Sequence, residues 1–269
     1  MTKILNGSEL AAYIKNRHAE QVRQLISSEV TPKLAIVQVK DDPVIDTYVR
    51  LKKRYGADVG IEVDVHRVSQ AKTLPLIKGL NADKNVHGII VQLPLEDPSQ
   101  TEEIVDSVKP SKDVDALGAG AIFQPATPMA ILWLLSGYGI ELKGKKILLL
   151  GRGRLVGQPL EKLLKSSGYD VKAVGKKESD LPKYTLDADI IITATGQPEI
   201  LHANMIKKSA VVVDAGVASE EGKTVGDLAD DVYQRQDLVI TPKKGGVGPL
   251  TVCALFENVI TAASKEVKR

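Results

Sequence analysis

The chain of 269 residues has a single cysteine, Cys253. One thiol excludes an internal disulfide framework and a thiolate metal cage. Cys253 falls on the apolar stripe of a predicted helix, where packing is its expected use. The four histidines, His18, His66, His87 and His202, show no ligand spacing, so no metal site is expected. Neither charge is in excess: 36 Lys and Arg against 34 Asp and Glu leave a net charge of +2. That balance speaks against a nucleic-acid binder that works by neutralising phosphates. No apolar run approaches the roughly 20 residues that a membrane helix needs. In the opening MTKILNGSELAAYIK the apolar residues are interrupted by Asn6, Ser8 and Glu9, unlike a secretion signal. Repeats and low-complexity segments are also lacking. These absences predict a soluble, cytoplasmic protein that binds neither nucleic acid nor membrane.

What remains is an ordinary globular composition, 43% hydrophobic and 26% charged, on a chain long enough for two modest domains. Short apolar runs alternate with amphipathic stretches. LAIVQV (34–39) reads as a buried strand, and residues 44–59 as a helix with Val44, Tyr48, Leu51 and Tyr55 on one stripe. Strand 61–68, helix 73–83, strand 88–95 and helix 101–108 follow, the last with Ser99 as candidate cap. This βαβαβα order predicts a parallel sheet covered by helices. Residues 110–128 are rich in Gly, Pro and Ala and lack a period, which marks a domain boundary. Trp133 lies in the apolar helix 129–139 that follows, a core position. A second alternating set then runs through strand 145–150, helix 155–168, strands 169–174, 189–195, 210–216 and 238–241, and a closing helix 248–267. The expected fold is α/β with two domains, 1–125 and 126–247, and the closing stretch 248–269 packs back on the first.

The stretch GRGRLVG, Gly151 to Gly157, joins a predicted strand to a helix, the setting of a dinucleotide-binding turn. There glycines allow close backbone approach to a pyrophosphate, and free N–H groups at the helix start favour an anion. The G-x-G-x-x-x-G spacing is one residue longer than the usual fingerprint, so a tight turn that binds nothing is the competing reading. An NAD site wants a carboxylate at the end of the next strand, to hold the ribose 2′-hydroxyl. Here the strand runs into Gly175-Lys176-Lys177. Two cations suit a 2′-phosphate, with Arg152 as a further bidentate contact, which favours NADP. A solvated loop is the plain alternative for Lys176 and Lys177. Thr195-Gly196 and Gly216 end two further strands at the same predicted edge, where open α/β sheets bind ligands. The loop Lys243–Pro249, with Gly245, Gly246 and Gly248, is either a hinge or a backbone surface for a flat ligand.

In the first domain, Tyr48 and Lys52 are four apart and share a helix face. A lysine desolvated beside an aromatic ring has a lowered pKa and can move protons near neutrality. Lys53 and Arg54 read as solvated helix face. Gln92 leaves a buried strand, and Asp115 sits in KDVDA; a strand-end hydrogen bond and a cap are their plain alternatives.

With these pieces in order, the chain resembles the bifunctional methylenetetrahydrofolate dehydrogenase/cyclohydrolases nearly end to end. The resemblance is carried by TYVRLKKRYGADVGI (47–61), GIIVQLPL (88–95), KDVDA (112–116), PATP (125–128), GRGRLVGQP (151–159), ADIIITATGQP (188–198), VVVDAGV (211–217) and GGVGPLTV (245–252). It implies a folate-binding catalytic domain over 1–125, completed by the closing helix, and a Rossmann-like NADP-binding domain over 126–247. It implies oxidation of 5,10-methylenetetrahydrofolate to the methenyl form, hydrolysis to 10-formyltetrahydrofolate, and a place in one-carbon metabolism and purine biosynthesis. Tyr48 would stack on the folate, and Lys52, positioned by Gln92, would handle protons in the hydrolysis. Asp115 would bind the pterin edge, and Gly246 and Pro249 would line the substrate side. Gly151, Arg152, Gly153, Val156, Gly157, Lys176, Lys177, Thr195, Gly196, Gly216 and Val217 would hold the cofactor. The family suggests a homodimer.

The chain departs from the family at several positions: Ile45 and Gly153 stand where serines are usual, the loop after KDVD is short, and Lys243-Lys244 replaces a Val-Pro pair. The usual histidine and serine after the second strand are Gly175 and Lys176. Three rival readings are a dehydrogenase without the hydrolytic step, another two-domain NADP-dependent dehydrogenase acting on a polar acid, and a non-catalytic NADP-sensing module.

Overall fold

The computed structural model describes residues 3–175, 178, 180–220 and 223–267. The chain opens with β1 (Lys3–Ile4) and α1 (Gly7–Ser27), and it divides into two units. One holds Ala12–Ala126 together with the chain from Val252 onward; the other holds the residues through Ala11 together with Thr127–Thr251.

The first unit is built on a parallel sheet of three strands, β2 (Lys33–Gln38), β3 (Glu62–Arg67) and β4 (Gly88–Gln92), in the order β3-β2-β4. The central strand is buried along Leu34, Ala35, Ile36 and Val37. A strand covered on both faces needs apolar residues at every position, which is why LAIV runs without alternation. Helix α2 (Pro43–Val59) crosses between β2 and β3. Asp42 starts it: Oδ1 accepts the Val44 N–H at 2.8 Å, and Pro43 supplies a helical φ where no N–H is needed. Gly60, at φ +84°, ends it in the left-handed cap that glycine adopts without strain. A Cβ on Gly56 would lie 2.4 Å from Val63 Cγ2, so this glycine lets the helix close onto β3.

Helices α3 (Thr73–Ala82) and α4 (Thr101–Asp106) complete the unit with a core that includes Val37, Ile77, Leu80, Val91, Ile104 and Val105. Asp97, not Ser99, is the capping side chain here, and it caps the 3-10 turn Pro98–Gln100 that leads into α4. Its Oδ1 accepts both the Ser99 N–H (2.9 Å) and the Ser99 hydroxyl (2.7 Å), and Ser99 lies inside a short 3-10 turn. Past α4, Asp113 bridges to Ile89, and Lys112 O accepts the Ile89 N–H at 2.7 Å, so KDVD lies alongside β4.

The second unit holds a six-stranded sheet in the order β1-β11-β8-β7-β5-β6, parallel throughout. Helix α5 (Ala126–Gly137) leads into β5 (Ile147–Leu150), α6 (Gly157–Ser166), β6 (Val171–Val174), α7 (Pro182–Thr185), β7 (Ile190–Thr193) and β8 (Val211–Asp214). A hairpin of β9 (Ala218–Glu220) and β10 (Lys223–Val225), then β11 (Val239–Ile240), precede α8 (Val247–Ser264). From β5 the chain winds one way to β6 and the other way to β7. The order therefore reverses at β5, at the switch point where open α/β sheets form their crevice.

Three features depart from the sequence expectation. The first residues belong with the second unit, because Lys3 and Ile4 pair with Val239 and Ile240 of β11. Helix α1 was not anticipated; its inner stripe of Ala11, His18, Val22 and Leu25 contains a histidine and is diluted by charged neighbours. The β9–β10 hairpin was not anticipated either. From Val252 the closing helix α8 packs in the first unit: the Phe256 ring is 4.8 Å from Tyr55, and Asn258 Nδ2 donates to Val114 O and Gln124 O, each at 2.9 Å. By length and composition α8 could cross a bilayer, and 61% of it is buried within the protein.

Candidate active site

The carboxyl edge of the three-stranded sheet collects polar side chains. Register places Gln38 beside Gln92 and beside Arg67. Across from Gln92, α2 presents Lys52, whose Nζ donates to Gln92 Oε1 at 2.9 Å. Gln92 Nε2 in turn donates to Leu93 O at 3.1 Å, which fixes the amide so that its oxygen faces the lysine. Lys52 keeps part of its surface open. The protein around its ammonium nonetheless lowers its pKa, and the charge of Asp115 opposes that shift. Burial raises the pKa of Asp115, and the charge of Lys52 opposes it in turn. Lys52 and Asp115 therefore stabilise each other's charged forms. Tyr48, one turn before Lys52, is half-buried, and burial raises its phenol.

Neighbouring groups hold this edge in place. Asp113 accepts the Gly118 N–H at 2.8 Å and so ties down the loop that follows Asp115. Asn258 holds the backbone of Val114, next to Asp115. The buried Gln38 donates to Asp46 Oδ1 (2.9 Å) and Lys40 O (3.0 Å). Ile45 is buried, which accounts for an apolar residue there. The sequence reading singled out Lys52, Gln92, Tyr48 and Asp115, and the structure brings Lys52, Gln92 and Asp115 together. It missed Asn258 and Asp113. Asp113 had one signal, a second carboxylate two residues from Asp115 in the same KDVDA stretch.

In the second unit the glycine turn leaves β5 at the switch point. Gly151 has φ +100°, and a Cβ there would lie 2.4 Å from Ala194 O. A Cβ on Gly157 would lie 2.2 Å from Gly151 O. Gly153 has open space around it. The first and third glycines are therefore required by the turn itself, and the second is not. Val156 caps α6, and its carbonyl accepts the Leu160 N–H at 2.9 Å. Arg152 is exposed at the turn, with Nε 3.1 Å from Glu161 Oε2.

Thr195 and Gly196 follow β7, with Gly196 at φ +62°; Gly216 and the exposed Val217 follow β8. Gly246 is packed against Thr241, and Pro249 lies in the first turn of α8. Both belong to the second unit, whereas Tyr48, Lys52, Gln92 and Asp115 belong to the first. Lys176 and Lys177 lie outside the described residues. Among the described residues no group of three or more His, Cys, Asp or Glu is placed to hold a metal.

Two carboxylates lie under these turns: Asp227, which escaped the sequence reading, and Asp214, which it placed in the strand-end turn before Gly216 without giving it a role. Asp227 is fully buried; Oδ2 accepts the Thr195 N–H at 2.7 Å and Oδ1 the Gln197 N–H at 3.0 Å. Asp214, at the end of β8, accepts from the Thr193 hydroxyl (3.1 Å), the Gly216 N–H (2.9 Å) and the Asp227 N–H (3.0 Å to Oδ2). Burial raises the pKa of Asp214.

Comparison with known proteins bears on both units. The tetrahydrofolate dehydrogenase/cyclohydrolase catalytic domain matches residues 5–115, and the NAD(P)-binding domain of the same family matches residues 125–267. The bifunctional protein FolD of Geotalea uraniireducens is 37% identical, over 98% of this chain and all of that protein. The crystal structure of the bifunctional FolD methylenetetrahydrofolate dehydrogenase/cyclohydrolase from Campylobacter jejuni superposes with a TM-score of 0.92 at 36% identity, covering 98% of this chain and 99% of that one. The FolD of Trypanosoma brucei, complexed with NADP cofactor and inhibitor, superposes with a TM-score of 0.93 at 29% identity, covering all of this chain and 99% of that one. The chain belongs to the tetrahydrofolate dehydrogenase/cyclohydrolase family.

Proposed function

We propose that this protein oxidises 5,10-methylenetetrahydrofolate to 5,10-methenyltetrahydrofolate with NADP and hydrolyses that product to 10-formyltetrahydrofolate. The observation that carries the proposal is the Lys52 Nζ–Gln92 Oε1 hydrogen bond beside Asp115, on the face that also bears Tyr48. NADP, when bound, accepts the hydride. The glycine turn suits its pyrophosphate, because backbone approaches backbone at Gly151 and Gly157 where any Cβ would intrude.

The two steps ask different things of the chain. The carbon that loses hydride lies between two nitrogens that already stabilise the positive product. The residues there need only orient the reactants. Tyr48 stacks on the folate, and Asp115 pairs with the N–H groups of the pterin edge. Hydrolysis needs proton movement. Water adds to the methenyl carbon and gives up two protons as its oxygen becomes the formyl oxygen; the bond from that carbon to one nitrogen breaks, one proton leaves to solvent with the substrate's positive charge, and the other ends on the released nitrogen. Lys52 carries that proton: its lowered pKa makes the neutral amine accessible, and Gln92 keeps Nζ in one place. Arg152, Lys176 and Lys177 serve the 2′-phosphate that separates NADP from NAD, while Gly153, Val156, Thr195, Gly196, Gly216 and Val217 lie along the rest of the cofactor.

The protein acts as a cytoplasmic homodimer that supplies one-carbon units to purine biosynthesis. Incubation with 5,10-methylenetetrahydrofolate and NADP tests the first step; absence of NADPH, and of NADH when NAD is substituted, rejects the assignment. Disappearance of added methenyltetrahydrofolate above the uncatalysed rate tests the second.

A further inference from the structure

We propose that Asp227 is a positioning residue for the cofactor: its carboxylate holds the turn after β7, and through Asp214 the turn after β8, in their final shapes before NADP arrives. The inference rests on the cofactor reading above and adds a residue that makes no predicted contact with NADP.

The geometry is specific to a carboxylate. Its two oxygens take two different backbone donors, Thr195 N–H at 2.7 Å and Gln197 N–H at 3.0 Å. These flank Gly196, whose left-handed φ of +62° makes the corner between them. The backbone of the same residue holds the other end of that loop: Asp227 O accepts the Ile200 N–H at 3.0 Å. One residue therefore fixes the segment from Thr195 to Ile200 at both ends. Asp214 extends the arrangement. It takes the Asp227 N–H and, at 2.9 Å, the Gly216 N–H that begins the turn after β8, while its Oδ1 also meets Thr193 at the end of β7.

The surrounding backbone is cut to fit these two side chains. A Cβ on Gly216 would lie 2.1 Å from the Asp227 carboxyl carbon, and one on Gly226 would lie 2.1 Å from Asp214 Oδ2. Glycine occupies both positions, neither at a left-handed φ, so each is small because a carboxylate fills the space. Holding the buried Asp227 carboxylate beside the half-buried Asp214 is costly and tolerated only when each is well hydrogen-bonded. The return is a pair of turns whose backbone needs no ordering on binding, which is how preorganisation raises affinity.

Asp227→Asn is the test. The amide keeps one acceptor but turns an N–H₂ towards the second backbone N–H. The expected result is an about tenfold weaker NADP affinity and an equal rise in KM for NADP, the loss of one charge-assisted hydrogen bond. The kcat at saturating NADP falls less than threefold. Amide hydrogen exchange of Thr195 and Gln197 gives a readout independent of turnover: both are protected in cofactor-free wild type, and both lose protection in the variant. NADP titration of the wild type separates this inference from the cofactor reading. No binding to the wild type removes the cofactor reading. Binding that is unchanged in Asp227→Asn, with unchanged protection, removes only the role of Asp227. If the variant does not fold, wild-type exchange decides: open-chain rates at Thr195 and Gln197 without NADP overturn the inference.

Discussion

The two units build their sites from different materials. At the edge of the three-stranded sheet the proposed site is made of side chains: Lys52, Gln92 and Asp115 converge from a helix, a strand end and a loop. At the switch point of the six-stranded sheet the proposed cofactor site is made of backbone: Gly151 and Gly157 matter for the Cβ they lack, and Asp227 holds main-chain N–H groups. A side-chain site should fail when a functional group is changed at constant shape. A backbone site should fail when an inert methyl is added, and should tolerate change wherever space is open.

The largest expected effect tests the first half of that contrast. Lys52→Met keeps the length and apolar stem of the side chain but removes the proton carrier. Methenyl hydrolysis should fall about 10²- to 10⁴-fold, the usual contribution of a positioned acid or base. Hydride transfer, which needs orientation alone, should be largely retained. In the wild type, hydrolysis above the uncatalysed rate should rise with pH as Lys52 loses its proton. Because burial lowers that pKa, the rise should come below the usual lysine range. Unchanged hydrolysis in the variant would remove Lys52 from its role.

Gly157→Ala tests the second half. The added methyl would lie 2.2 Å from Gly151 O and 2.8 Å from Arg152 Cα, both backbone atoms that cannot rotate away. Overpacking of this kind costs about 1–3 kcal/mol, or roughly five- to 150-fold in NADP affinity if the turn opens to relieve it. Titration with NADP reads the loss directly. Affinity within twofold of wild type would show that the turn has slack the geometry does not suggest.

An exception would sharpen the contrast. Lys176 and Lys177, with Arg152, are side chains proposed to read the 2′-phosphate within a site made largely of backbone. Replacing both with alanine should lower the NADP-over-NAD preference about tenfold, the worth of a charge-assisted contact. Affinity for NAD should stay the same. The exposed Arg152 is already engaged by Glu161 at 3.1 Å, so it adds less to this discrimination than its charge suggests. An unchanged preference would return the two lysines to the solvent.

The same division governs what could be read from the chain. Strands β2, β4, β5, β7 and β8 were legible because buried parallel strands write continuous apolar runs. Tyr48 and Lys52 were legible because four residues on a helix is a fixed geometry. Asp227 was not. It lies in a loop without a period, and its partners Thr195 and Gln197 are about thirty residues away in the chain. The pairing of β1 with β11 was hidden for the same reason, since it joins Lys3 to Val239. The G-x-G-x-x-x-G spacing was legible as a misfit, but only the geometry separates the two glycines that cannot change from the one that can.

That last distinction yields the smallest predicted effect. Gly153 is where the family commonly carries serine, and beyond its two chain neighbours no heavy atom lies within 4 Å of the place a Cβ would take. Gly153 also has no left-handed φ to defend. Gly153→Ser should therefore fold as the wild type does, with a melting temperature within about 1 °C, since surface changes away from special features stay within about 0.5 kcal/mol. A hydroxyl at this turn can meet a phosphate oxygen, so NADP affinity should rise, by less than tenfold for one neutral donor. A loss of affinity would mean that the second glycine, like the first and third, is needed for its missing side chain, and the turn would then be backbone-built along its whole length.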